Sequence, residues 1–330
     1  MNPDGLFPVI YSTLSPQAIV SGLLPHYDIG EVTGCQFWRR GLSDVYLVET
    51  LTTPYILRVA HHHWRSKSEI DFELELLDFW RQRGLPVAHP IFTQSGNLSI
   101  EIAAPEGKRY AALFIYAPGE VAVGDLNPTQ SFRLGETVAK LHQTTGEFRP
   151  PTFRQPLTLD YVLRDSFAAI APFLKHRPQD FDELNHIVDR IEAQLQHLPQ
   201  EPPFWVVCWG DPHSGNAHFT PDNTVMLFDF DQCGYGWRAF DIAKFLQVSL
   251  RTGIGKPVRE AFLAGYQSVA ELVPWELNAL QALTQTAHLW TWAIDLHTSC
   301  FCNWCRLDDH YFMQRLGQLK RFHSHDWQLF

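Results

Sequence analysis

Strand-like and helix-like periodicities are segregated along this chain, and that segregation limits its fold more than any other feature. Residues 31–59 read as strands: Val45-Tyr-Leu-Val48 and Tyr55-Ile-Leu-Arg-Val59 are β-rich runs on either side of a Leu51-Thr-Thr-Pro54 turn. The period then changes. Ile70, Phe72, Leu74, Leu76, Leu77, Phe79 and Trp80, set among charged residues, predict a largely buried helix over 67–83 that stops at Gly84. Two more strands are expected at 98–102 and 110–115, before Pro118-Gly119. Beyond about residue 127 the spacing is helical, with helices expected at 130–144, 158–175, 180–198 and from 240 onward. A proline-bearing link at 150–157 and one β-rich island at 204–230 interrupt them. Strands gathered at one end and helices at the other give an α+β chain with two unequal lobes, not the regular alternation of a doubly wound sheet.

Composition removes several classes. Hydrophobic residues make up 45% of the 330, too many for a disordered chain. With 26 Lys and Arg against 36 Asp and Glu, the net charge is −10, which speaks against a general nucleic-acid binder. No apolar run approaches the roughly 20 residues that span a bilayer, so no membrane partner is expected. Residues 1–11 lack a basic leader, and the six cysteines are too sparse for a disulfide scaffold; a reduced, cytoplasmic setting is the expectation. The oligomeric state is not legible.

The island carries the chemistry. An apolar run, Val206-Val-Cys-Trp209, delivers Asp211 into a Gly/Pro loop, and Asn216 follows five residues later. A second apolar run, Val225-Met-Leu-Phe228, delivers Asp229, eighteen residues after Asp211. Phosphoryl transfer needs such a set: one carboxylate to orient and deprotonate an attacking hydroxyl, and an amide oxygen with a second carboxylate to hold Mg²⁺, which favours hard oxygen ligands. Asp229 and Asp231 also form the D-x-D of some nucleotide-sugar glycosyltransferases, a reading the upstream loop opposes. Asp231 is open between a second metal-side acid and a plain loop acid.

Gly210-Asp-Pro-His-Ser-Gly-Asn216 followed by Leu227-Phe-Asp-Phe-Asp231 resembles the aminoglycoside phosphotransferase and choline kinase superfamily, which shares its fold with protein kinases. The resemblance runs from about 31 to 245. It implies a protein-kinase-like two-lobed fold, with a small β-rich nucleotide-binding lobe over 1–116 and a mainly helical lobe over 117–330. It implies ATP and Mg²⁺ as cofactors and a small-molecule hydroxyl acceptor such as an aminoglycoside, an amino alcohol or homoserine. The alternatives are a protein Ser/Thr kinase of the bacterial stress-response type and a nucleotide-binding pseudokinase. By the same resemblance Asp211 is catalytic, and Asn216 and Asp229 are metal ligands. Gly41-Leu-Ser-Asp-Val-Tyr46, with Ser43, resembles the turn over the nucleotide phosphates. Arg58 stands where the family's third strand presents a phosphate-binding lysine, and Glu73 resembles its acidic partner, with Glu75 as the fallback. Phe114-Ile-Tyr-Ala-Pro-Gly119 resembles the hinge, so that the Ile115 carbonyl and Ala117 amide would contact adenine. Trp209 replaces a histidine common in the family, and Asp241 resembles its structural, loop-organising aspartate.

Other clusters admit bland readings. His213 is expected to brace the loop by hydrogen bonding. His61-His-His63 is expected to be solvated, and His297 with Cys300, Cys302 and Cys305 is expected to be helical packing instead of a zinc site. Asp295, Asp308 and Asp309 near Trp290, Trp292 and Trp304 fit either a solvated acidic face over a packed core or a wall for a cationic acceptor.

Overall fold

The computed structural model describes residues 7–122, 126–299 and 307–324. The chain divides into two compact units, one running to Ala117 and including Arg149–Arg154, the other made of Pro118–Phe148 and Gln155 onward.

The first unit contains α1 (Pro16–Gly22), β1 (Val32–Arg40), β2 (Ser43–Thr50), β3 (Tyr55–Ala60), α2 (Lys67–Gln82), β4 (Ile100–Ala104) and β5 (Gly107–Ile115). Among the described residues its strands form an antiparallel sheet in the order β1-β2-β3-β5-β4. Alternation sorts the side chains. Tyr46, Val48, Leu57, Val59, Ala111 and Leu113 form one apolar face with Ile19, Leu23, Tyr27 and Ile29. Ile56, Arg58, Ala112 and Phe114 alternate with them and face the other way. The α2 helix starts where Ser66 and Glu69 cap each other reciprocally, and the chain leaves it at Gly84, whose φ of +71° suits glycine. Residues 149–154, which the sequence places between helices, belong to this unit: the Phe153 N–H donates to Ser68 Oγ at 2.8 Å, and Thr152 Oγ1 donates to Glu75 at 2.7 Å.

A buried charge cluster pins one end of the sheet. Arg109, on β5, is fully buried and donates to Asp44 Oδ2 at 2.9 Å, to the Ala60 carbonyl at 2.9 Å and to the Ser12 carbonyl at 2.8 Å. Tyr11 and Arg40 also donate to Asp44. Burial pushes the Asp44 carboxyl up, but the nearby His61 ring, the Tyr11 hydroxyl and Arg109 outweigh it and bring it down to about 2. The first two strands and the segment before α1 are thereby fixed around the β1–β2 turn.

The second unit contains β6 (Glu120–Val121), α3 (Pro128–Thr144), α4 (Asp165–Ile170), α5 (Pro178–Leu195), β7 (Trp205–Cys208), β8 (Ala217–Phe219), β9 (Val225–Leu227), β10 (Gly234–Trp237), α6 (Arg238–Thr252), α7 (Lys256–Gln267), α8 (Pro274–Ser299) and α9 (Asp309–Arg321). The helix expected at 158–175 is instead a π turn at Asp160–Arg164, then α4, then a 3₁₀ turn at Ala171–Leu174, where Pro172 cannot supply the next helical N–H. The island extends past 230, because β10 pairs with β7. α3 and α7 cross with backbone nearly touching backbone: a Cβ at Gly135 would lie 2.0 Å from the Phe262 carbonyl oxygen, and one at Gly265 would lie 2.0 Å from that of Phe132. No helix among the described residues is long and apolar enough to cross a membrane.

Asp44→Asn should destabilise the protein by about 3–5 kcal/mol at pH 7, the usual cost of breaking a buried ion pair. A lowered folded-state pKa means that the charge-dependent stability is full above about pH 4 and is lost as pH falls toward 2. Urea midpoints of wild type and variant should therefore converge across that window. A constant gap would show that the Asp44 charge contributes nothing.

Candidate active site

The catalytic candidates of the second unit hang from one buried carboxylate. Asp241, on α6, is fully buried, and its oxygens accept the Gly210 N–H at 2.8 Å and the Trp209 N–H at 2.7 Å. His142 Nε2, from α3, lies 2.9 Å from the same oxygen as Trp209, and His142 Nδ1 lies 2.8 Å from the Tyr266 hydroxyl of α7. Cys208 brings its sulfur near these groups. The side-chain atoms of His142 and Asp241 are already paired with each other, so the cluster is a hydrogen-bond network.

Held this way, the chain leaves β7 through Gly210 and turns at once. Gly210 has φ of +86°, and a Cβ there would lie 2.1 Å from the Gln232 carbonyl oxygen, so only glycine fits. Asp211 follows, with 19% of its side chain exposed. Asn216 Nδ2 donates to its backbone oxygen at 3.2 Å and to Oδ2 at 3.3 Å, and Gln232 Nε2 donates to Oδ2 at 3.3 Å. His213 Nδ1 accepts the Gly215 N–H at 3.0 Å, which leaves Nε2 facing Asp211 at 3.5 Å, in keeping with a loop brace. On Oδ1, at 3.3 Å, stands Lys244 Nζ. Burial alone would raise the Asp211 carboxyl; the Lys244 charge and the His213 contact outweigh it and hold the group below the ordinary carboxylate range.

The Phe228-Asp229 segment is joined to this loop and to the residue before it. The Phe228 N–H donates to the Asn216 carbonyl at 3.0 Å, and Trp209 Nε1 donates to the Asp229 carbonyl at 3.0 Å. Asp229 has φ of +60°, a left-handed conformation unusual for a residue with a Cβ. The Trp209 indole stacks on Phe230 at 5.2 Å while it makes that bond. Asp231 is buried beside them.

In the first unit Arg58 and Glu73 meet: Arg58 Nη2 donates to Glu73 Oε2 at 2.6 Å, and the guanidinium lies 4.8 Å from the Phe114 ring centre. Glu75 is engaged by Thr152 instead. Ser43 opens β2, buried, with its hydroxyl lacking a hydrogen-bond partner. Ile115 closes β5, its N–H on the His89 carbonyl at 3.2 Å, and Ala117 is buried two residues on. Between them, the Tyr116 ring lies nearly parallel to Trp38 at 6.0 Å. Trp38 is about half exposed and sits in a β-bulge, a device that re-aims a side chain.

The profile of the phosphotransferase enzyme family matches residues 34–282. The chain belongs to that family. A protein of Synechocystis sp., described as uncharacterized protein sll1119, is 57% identical over 98% of this chain and 90% of its own length. A homoserine kinase of Xanthobacter autotrophicus is 28% identical over 85% of both chains. Among solved structures, a microcompartment-associated aminopropanol kinase superposes with a TM-score of 0.76 at 20% identity, covering 95% of this chain and 100% of that one. That last likeness is one of fold: a kinase-like antiparallel sheet with a helical second part. The protein is a phosphotransferase with an alcohol group as acceptor.

Several residues of this candidate site escaped the sequence reading. Lys244 and Gln232 reach Asp211 from outside its loop, and His142 reaches Asp241 from α3; none lies in a local motif. Among the described residues the acidic wall does not form. Asp295 pairs with Arg315, Asp309 pairs with Arg177 and His176, Asp308 caps α9, and Trp290 and Trp292 are buried. Trp304, Cys300, Cys302 and Cys305 lie outside the described residues. His62 Nδ1 lies 2.9 Å from the Lys108 carbonyl and His61 packs on Tyr11, so neither is simply solvated.

Trp209→Phe keeps the stacking ring but removes the donor to Asp229. It should cost about 1–3 kcal/mol by leaving a backbone carbonyl unpaired. Trp209→His, which restores a ring N–H, should recover part of that loss. Thermal melts of the two variants decide it, and equal stability of wild type and Trp209→Phe would show that the indole N–H is dispensable.

Proposed function

We propose that this protein is an ATP- and Mg²⁺-dependent kinase that phosphorylates the hydroxyl of a small amino alcohol, with homoserine-like compounds as the first candidates. The observation that carries the reading is the Asp211 carboxylate, ionised and partly exposed in a loop braced by Asp241 and tied to Asn216 and Asp229. An ionised carboxylate at that place would accept the hydrogen bond of an acceptor hydroxyl, turn its oxygen lone pair toward the γ-phosphorus of ATP and take up the proton as the new oxygen–phosphorus bond forms and the bond from that phosphorus to the bridging oxygen breaks, releasing ADP.

Asn216 and Asp229 fit a magnesium ion. Asn216 spends its amide N–H on Asp211, so what it offers a cation is its side-chain oxygen, and Asp229 adds a carboxylate. When bound, the ion supplies neutralising charge to the nucleotide phosphates. In the other unit Arg58, fixed by Glu73, offers a permanent planar cation for phosphate oxygens, and the unpartnered Ser43 hydroxyl offers a donor. Trp38 and Tyr116, beside Ile115 and Ala117, offer aromatic surface for a base. Catalysis of this kind is mainly positioning and charge neutralisation. Support for the acceptor class comes from relatives whose names carry homoserine and aminopropanol, both amine-bearing alcohols. A reaction that consumes ATP calls for a cytoplasmic setting.

ADP release over a panel of homoserine, aminopropanol, aminoglycosides, neutral sugars and a serine-bearing protein substrate tests the reading. Turnover should be greatest with an amino alcohol; preference for neutral sugars or for protein serine would overturn the acceptor class. Asp211→Asn should lower turnover by about 10²–10⁴-fold while sparing ATP binding. Asp229→Ala should abolish the thermal shift given by Mg-ATP, and Asn216→Ala should weaken it. Arg58→Ala should raise the ATP KM, with Arg58→Lys intermediate; unchanged ATP kinetics would remove Arg58 from the phosphates.

A further inference from the structure

We infer that Lys244 is a positioning residue for phosphoryl transfer, gripping Oδ1 of Asp211 so that the carboxylate is held in a fixed plane for the acceptor hydroxyl. The inference rests on the reading of Asp211 as the group that orients that hydroxyl.

Lys244 lies on α6, one turn after the buried Asp241, and only 2% of its side chain is exposed. Lysine rarely occupies such a place, since an ammonium taken out of water costs several kcal/mol unless it is paired. Its neighbours account for it. Nζ donates to Thr291 Oγ1 at 2.6 Å and stands 3.3 Å from Asp211 Oδ1. The Trp290 ring lies 5.7 Å away, on the side where a cation is attracted to the aromatic face. Thr291 gives its own proton to the Ala287 carbonyl at 2.8 Å, so its oxygen is fixed as an acceptor and the ammonium is aimed from behind. Both anchors sit on helices, α6 and α8, which hold a side chain more firmly than a loop does.

The two oxygens of Asp211 are treated differently. Oδ2 receives neutral amide donors at 3.3 Å, from Asn216 and Gln232, with the His213 ring at 3.5 Å. Oδ1 faces the cation. The amides restrain the carboxylate from one side and the ammonium from the other, which stops rotation about the bond to the carboxyl carbon. A hydroxyl that binds this carboxylate inherits the restraint, and a loss of about 1 Å of placement can cost about 10²-fold in rate. Stability alone would not require the charge, because a buried ion pair is no better than apolar residues of similar size.

The test uses the full chain, with ADP release measured on homoserine and aminopropanol, and thermal melts of four proteins: wild type, Lys244→Met, Asp211→Asn and the double variant. Lys244→Met should lower kcat by about 10²-fold with the ATP KM moved by less than about twofold, since the lysine does not touch the nucleotide in this assignment. Lys244→Arg, which keeps the charge, should retain more turnover than Lys244→Met. The double variant should melt above Lys244→Met alone, because Asn leaves no unpaired charge behind. Lys244→Met with kcat within about threefold of wild type, beside an inactive Asp211→Asn, would overturn the inference. Additive melting shifts would overturn it too, even if Lys244→Met is too unstable to assay. An active Asp211→Asn would instead overturn the underlying reading of the site, so the two failures are distinct.

Discussion

The geometry of the Asp211 loop depends on one buried carboxylate. Asp241 has no exposure to solvent, and three groups from elsewhere in the chain point hydrogen-bonding atoms at its two oxygens. Two are backbone amides of the residues just before Asp211. A loop amide with no partner in a buried place costs about 1–3 kcal/mol, so the loop is stable chiefly in the conformation that satisfies both. The third group, His142, is itself held by Tyr266. That hydroxyl reaches His142 because α3 and α7 cross at Gly135 and Gly265, the second of which immediately precedes Tyr266. Two residues without side chains thus set the distance at which the network closes.

Buried ion pairs recur wherever position counts. Asp44 with Arg109 fixes the strands around the β1–β2 turn, Arg58 meets Glu73 across β3 and α2, and Lys244 meets Asp211. Arg238 and Glu276 add a fourth, at 2.6 Å, between the start of α6 and the start of α8. Such pairs contribute little net stability compared with apolar packing, because desolvation offsets their attraction. What they supply is direction: a guanidinium or ammonium with a buried partner has one favourable placement, whereas a leucine accepts several.

The legible parts of this chain were those whose information is local. Asp211, Asn216 and Asp229 stand within nineteen residues of one another, beside apolar runs that fold as β7 and β9, and the end of α2 was visible in Gly84. Lys244 was not legible, since a lysine on an amphipathic helix is ordinarily solvated and its partner is thirty-three residues away. Arg109 and Asp44 were hidden for the same reason, at a separation of sixty-five. The β10 strand was missed because Gly234-Tyr-Gly-Trp237 carries two glycines; it is a strand only because β7 is there to pair with it. Tertiary partners, not propensity, decided each of these.

Trp209 shows how a departure from a family pattern is resolved by asking what the position must do. The place demands a ring that packs flat and an N–H aimed at the Asp229 carbonyl. Histidine has both, and so does tryptophan, whose Nε1 makes the bond at 3.0 Å while the indole stacks on Phe230. The demand is strict because Asp229 sits at φ of +60°, where a residue with a Cβ is strained and must be held. Indole is a donor only, so this bond persists at every pH, whereas an imidazole in the same place would change its donors as it titrates. Arg58 follows the same logic: the position demands a cation that Glu73 can fix, and a guanidinium satisfies it with a permanent charge where lysine would bring a titratable one.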